Sequence, residues 1–156
     1  MSLDTDEFAR LLSSELDASR QLNELLQQEL SVVTSHQPMA LDTLNPAKEK
    51  QVAILRASAG LRLDWMEANQ LPVSSECLDH PDIATCKVIA TTWQQLAACY
   101  ESNREISARL SELVLALRFR AEQKLKILHA RHNDPHLYND KGKAAGNSTG
   151  FKSIEA

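Results

Sequence analysis

Residues 86–132 read CKVIATTWQQLAACYESNREISARLSELVLALRFRAEQKLKILHARH, without a glycine or a proline. Within them Cys86, Ile89, Trp93, Leu96, Tyr100, Asn103, Ser107, Leu110, Val114, Leu117, Ala121, Lys124 and Leu128 follow one another at alternating steps of three and four. That spacing lines one face of an α-helix. The stripe turns polar at Asn103 and Ser107, inside Glu101-Ser102-Asn103-Arg104-Glu105. Two readings follow. The missing breaker favours one continuous helix of about 50 residues, distorted near Asn103; compactness favours a hairpin at that point.

Outward from this stretch, breakers mark the joints. Pro38 and Pro46 bracket one break, Pro72 and Pro81 another, and Pro135 opens a tail. Asn45-Pro46 supplies a cap and a first-turn proline for a second helix. Val52, Leu55, Ala59, Arg62 and Met66 make its stripe, with Trp65 beside them, and Leu71-Pro72 ends it. Gly60 in its interior costs about 1 kcal/mol relative to alanine and leaves open a close helix approach. A first helix begins at Asp4, which stands with Glu7 at capping-box spacing, flanked by the staple pair Leu3 and Phe8. Phe8, Leu12, Leu16, Leu22, Leu26, Leu30 and Val33 carry it to about His36, roughly 50 Å at 1.5 Å per residue. After Asn133-Asp134-Pro135 the periodicity vanishes and Asn, Gly, Lys, Ser and Thr prevail. The expected architecture is all-α: an antiparallel bundle or coiled coil of three to four long helices over residues 1–132. A disordered C-terminal tail, 133–156, follows.

The totals agree with one folded domain. The chain has 156 residues, 43% hydrophobic and 24% charged, with aromatics at 4%, too apolar for wholesale disorder. A net charge of −4 gives no drive towards nucleic acid or an anionic membrane. The basic stretch from Arg104 to Arg131 lacks the aromatic platform that single strands stack on. Its simplest partner is the acidic first helix, packed side by side with it. Cys77, Cys86 and Cys99 are odd in number and unpaired in spacing, which points to a reducing compartment. Acidic residues follow Met1 where a secretory leader would be basic and apolar. No stretch approaches the length of a membrane span. The chain reads as cytoplasmic.

Catalytic patterns fail one by one. A di-iron bundle needs Glu-x-x-His pairs, yet Val33, Cys77, Lys126, His129 and Asn133 stand three residues before the five histidines. Cys77-x-x-His80 and His129-x-x-His132 look like two half zinc sites, and a helix end with incidental histidines explains them equally well. Cys86 and Cys99 read as small buried hydrophobes. No phosphate loop or nucleophile elbow occurs. The expectation is no catalytic residue, no metal and no cofactor. What remains is apolar surplus: Ile106, Leu110, Leu113, Val114, Leu115, Leu117, Phe119, Leu125, Ile127 and Leu128 wrap beyond one seam. They form either a buried core helix or a groove for a partner's amphipathic helix. The alternative to a binding protein is a structural coiled-coil oligomerisation module.

The tail narrows this. Pro135-His136-Leu137-Tyr138-Asn139-Asp140-Lys141-Gly142 resembles the Pro-x-Leu-Tyr-Gly-x-x-Gly segment of the FlgN family of flagellar export chaperones, with Asn139 for the first glycine. Gly150-Phe151-Lys152-Ser153-Ile154, Trp93-Gln94, and Glu49-Lys50 with Leu55 are similar to other parts of the family pattern. The family's Asn-x-x-Asn-Gly before the last helix is missing, since Ile106-Ser107 follows Asn103.

The resemblance implies a cytoplasmic type III export chaperone. It would bind C-terminal helical segments of hook-associated junction proteins (FlgK- and FlgL-like) and prevent premature assembly. It would then deliver them to the cytoplasmic domain of an FlhA-like export gate. It further implies that the last helix holds substrate through Ile106, Leu110, Leu113, Val114, Leu117, Phe119, Leu125 and Leu128, and that Leu137 and Tyr138 dock on the gate. Neither nucleic acid nor membrane insertion is expected, and the protein should be a monomer or weak homodimer.

Overall fold

The computed structural model describes residues 2–36 and 40–132; Pro38 and the tail with Leu137 and Tyr138 lie outside them. Four α-helices and one 3-10 turn make up the described residues, with no strand among them. They are α1 (Thr5–Thr34), α2 (Leu41–Ala68), a 3-10 turn (Ser75–Asp79), α3 (Pro81–Ala84) and α4 (Lys87–His132). The chain divides into two compact units, Met1–Glu112 and Leu113–Ala156.

Helix α1 starts as its sequence dictates. The Asp4 carboxylate accepts the Glu7 amide at 3.0 Å, satisfying one of the open donors of the first turn. The buried seam runs Phe8, Leu12, Glu15, Ser19, Leu22, Leu26, Glu29, Val33, an unbroken three–four alternation. Leu16 and Ala18 are buried beside it, whereas Leu30 is only half-buried. Past the end of α1, His36 takes φ +57°, a left-handed conformation that stops a helix and that histidine adopts more readily than most.

Helix α2 returns antiparallel to α1. Lys48 donates to Glu29 at 2.9 and 3.1 Å. Further along, Gln51 donates to the Ala18 carbonyl at 3.0 Å, Arg62 meets Glu15, and Trp65 stacks on Phe8 with ring centroids 4.6 Å apart. The paired carboxylates of acidic α1 among the described residues therefore find their cations on α2. Those on the basic stretch are not used: Arg104 bonds Glu101 of its own helix, an exposed pair worth little. The helix also starts earlier than its Asn45-Pro46 signal, at Leu41. Pro46 thus sits inside it and leaves the Asp42 carbonyl without its usual donor.

The end of α2 is a double-bonded cap. Leu71 N donates to the Met66 carbonyl at 2.9 Å and Gln70 N to the Glu67 carbonyl at 3.0 Å, with Gln70 at φ +55°. This is the Schellman pattern, and its hydrophobic contact is supplied by Leu71 and Met66 of the core. Gly60 has no such local purpose, because nothing lies within 4 Å of where a Cβ would stand. The close approach it could have served is absent. Gly60→Ala is expected to stabilise the protein by about 1 kcal/mol, raising Tm by roughly 2–4 °C. A thermal melt with an unchanged or lower midpoint would contradict this.

The connection to α4 is tied down. Ser74 caps the 3-10 turn, and His80 Nδ1 accepts the Asp82 amide at 3.2 Å with Pro81 in the first turn of α3. Cys77 and Ile83 plug the core with Leu71, Met66, Phe8 and Leu12. Burial pushes the Cys77 thiol above its usual pKa, so it serves as a small hydrophobe.

Helix α4 runs continuously through Asn103; the hairpin does not occur. Ile89, Leu96, Asn103 and Leu110 are its buried residues, one per heptad. The polar break in the stripe has a partner. Asn103 Nδ2 donates to the Ser19 carbonyl at 3.2 Å and to Ser19 Oγ at 3.1 Å, while Asn23 Nδ2 donates to Asn103 Oδ1 at 2.9 Å. Ser19 Oγ donates to Cys99 Sγ at 3.1 Å. A buried amide satisfied on both ends keys two helices together instead of bending one. Within this unit α4 runs parallel to α1, as residues 15, 19 and 23 meet 100, 99 and 103.

Candidate functional site

Two places hold more chemistry than packing requires. The first is buried. Glu15 is fully buried on the α1 seam, where an unpaired carboxylate would be very costly. Arg62 of α2 donates to both of its oxygens through Nε and Nη2, and the Tyr100 hydroxyl of α4 donates to Oε1. The guanidinium also lies over the Trp93 ring, 5.6 Å from its centroid, and Nη1 reaches Met66 Sδ at 3.4 Å.

Burial first, then the hydrogen bond and charge of Glu15, raise the Tyr100 pKa far above the usual value. Arg62 and Tyr100 together compensate both oxygens of the buried Glu15 carboxylate. Among the described residues no buried side-chain nitrogen or oxygen lacks a partner. The adjoining cavity is about 120 Å³, lined by Arg62, Trp93, Leu96, Ala97 and Tyr100, smaller than a substrate pocket. This cluster is a three-helix lock. Its signal was in the sequence: the three–four step from Leu12 lands on Glu15 and Ser19, and Arg62 stands in an apolar stripe.

The second place is open. In the unit beginning at Leu113, the described part of α4 carries large apolar side chains in solvent. Val114 is 39% exposed and Leu117 36%, while Leu115, Phe119, Leu125, Ile127 and Leu128 are exposed by 54–62%. Leu113 is half-buried. Of the residues anticipated to hold a partner helix, Leu113, Val114, Leu117, Phe119, Leu125 and Leu128 all lie on this stretch. Leu110 is a core residue at 5% exposure, and Ile106 is half-buried; both sit in the first unit. Leu115 and Ile127 belong to the same open surface.

Each leucine or phenylalanine withdrawn from water contributes about 1.5–3 kcal/mol. Contiguous exposed apolar surface is a general feature of sites where proteins bind partners. Among the described residues no cluster of His, Cys, Asp or Glu could hold a metal ion. His80 is occupied as a cap, and His129 is exposed. No described helix is long and apolar enough to cross a membrane.

Seven of the twelve exposed large apolar side chains among the described residues lie on this stretch of α4; the others are Ile54, Leu61 and Leu63 of α2, Val73 and Val88. A family model described as FlgN protein matches residues 1–146. Nothing among the curated proteins or the solved structures matches the chain. The chain belongs to the FlgN family, whose members are flagellar export chaperones and not enzymes.

Proposed function

We propose that this chain is a cytoplasmic chaperone of flagellar type III export. It captures amphipathic C-terminal helices of hook-associated junction proteins (FlgK- and FlgL-like), keeps them from assembling, and delivers them to an FlhA-like export gate. The observation that carries the reading is the exposed apolar belt from Leu113 to Leu128, in a chain of this family. Leu113, Val114, Leu117, Phe119, Leu125 and Leu128 would bury the partner's apolar stripe. Ile106 and Leu110, anticipated as part of this surface, belong to the first unit, Leu110 as a core residue. Residues 1–132 are the chaperone domain in this reading, and 133–156, which lie outside the described residues, are the segment that reaches the gate. Five cations and a single carboxylate over residues 113–132 disfavour self-pairing there and support a monomer or weak dimer.

The deciding experiment is calorimetric titration with a hook-associated protein, intact and without its C-terminal segment. Binding to the first alone is expected; equal binding to both would overturn the reading. Leu137 and Tyr138 are the gate handle. Burying two such side chains yields roughly 3–5 kcal/mol gross, a contact near millimolar on its own, suited to release. Tyr138→Ala should therefore impair export and gate binding while leaving Tm and cargo affinity unchanged. A large fall in Tm would place Tyr138 in the fold instead.

A further inference from the structure

The open surface of α4 has two faces. At about 100° per residue, Leu113, Val114, Leu117, Leu125 and Leu128 fall within an arc of roughly 120°. Leu115, Phe119 and Ile127 fall within a second arc of similar width, centred about 160° from the first. In both arcs the large side chains are open to solvent, Leu128 at 59% and Phe119 at 62% exposure. The stripe by which one helix buries itself is about 100° wide, so a single partner helix covers one arc and leaves the other wet.

The open stretch carries a net positive charge. Arg120 and Arg131 lie at one border between the arcs, Arg118 shares the other with Glu122, the lone carboxylate of residues 113–132, and Lys124 and Lys126 stand inside the first and second arcs. A second copy of this helix would bring two net positive surfaces together, at an energetic cost. Helices with acidic residues beside their apolar stripes would be drawn in and oriented.

Resting on the proposed chaperone reading, we infer that residues 113–132 take up two partner helices at once, one on each apolar face, from a partner segment that carries acidic residues along the edges of both stripes. The second helix adds its affinity as an intramolecular event once the first is seated. Cargo presented as a linked pair of helices is thereby preferred over a lone helix.

The test uses the full-length chain and designed peptides followed by fluorescence anisotropy: one amphipathic helix with glutamate borders, the same helix doubled as a hairpin, and that hairpin with lysine borders. Two variants accompany it, Leu117→Ser/Leu125→Ser/Leu128→Ser on the first face and Leu115→Ser/Phe119→Ser/Ile127→Ser on the second. The glutamate hairpin should bind at least about tenfold more tightly than the single helix. Either variant should reduce it to single-helix affinity, and the lysine hairpin should bind at least about tenfold more weakly than the glutamate one.

A hairpin no tighter than one helix, or one indifferent to the second variant, overturns the two-faced inference while leaving the chaperone reading in place. Equal binding of the lysine hairpin removes the acidic partner. Sedimentation showing a dimer that the second variant dissolves would assign that face to a second copy and overturn the inference as well. Loss of hook-associated protein binding in neither variant would defeat the chaperone reading itself.

Discussion

Replacing Glu15 by alanine is expected to cost roughly 3–5 kcal/mol of stability and to lower Tm by about 10 °C or more. The carboxylate is fully buried and receives Arg62 twice and Tyr100 once. Its removal strands a guanidinium in the interior and leaves a phenol without an acceptor. The cost comes from that stranding, so a combined Glu15→Leu, Arg62→Met and Tyr100→Phe variant should recover most of it, as well-packed apolar replacements of buried ion pairs do.

Urea unfolding of both variants checks the argument. A loss below about 1 kcal/mol for Glu15→Ala would show the lock to be incidental. Tyr100 adds a pH signature. Its pKa is raised in the fold, so the fold holds the phenol proton more tightly than the unfolded chain does. The stability this gives is complete below the unfolded tyrosine value, about 10, and is lost as pH rises through the folded value. Absorbance titration should find Tyr100 ionising later in the native protein than in Glu15→Gln.

Leu125→Asp with Leu128→Asp should reduce binding of a hook-associated C-terminal segment about 100-fold or more. Two buried leucines contribute roughly 3–6 kcal/mol, and 1.4 kcal/mol is a factor of ten. Both side chains are more than half exposed in the free chain, so stability should stay within about 0.5 kcal/mol of the parent. Leu110→Asp is the contrast, since a charge at that 5% exposed core position should destabilise the fold severely. Calorimetric titration paired with melts separates the two. A marked fall in Tm for the exposed pair would mean that this surface is packed in the native protein.

Much of this was legible from spacing alone. Of the two readings open for α4, the continuous helix favoured by the missing breaker is the one found, and the apolar positions Phe8, Leu12, Leu22, Leu26 and Val33 lie where their steps place them. Reading only apolar residues hid the seam's polar members. Glu15, Ser19 and Glu29 occupy the same alternation, and their burial depends on Arg62, Asn103 and Lys48, each far along the chain. Asn103 looked like a place to bend for the same reason: a polar residue in a stripe is uninterpretable until its partner is known. Pro46 misled because a proline that usually opens a helix is here tolerated inside one. The opposite charges of α1 and the basic stretch suggested mutual packing, yet charge totals carry no information about which cation reaches a carboxylate. The apolar surplus after Leu113 was visible, but core and surface leucines look alike until exposure is known.

The amide layer at Asn103 constrains how such a chain can change length. Ser19 and Asn23 are matched to Asn103 at one axial setting; sliding α4 by a heptad would offer them Leu96 or Leu110 and leave amide groups dry. Insertions or deletions ahead of Ser19 in α1 are therefore tolerable only when α4 changes by the same number of residues ahead of Asn103. Unmatched changes fit only past Leu110, the last buried residue of α4 among those described.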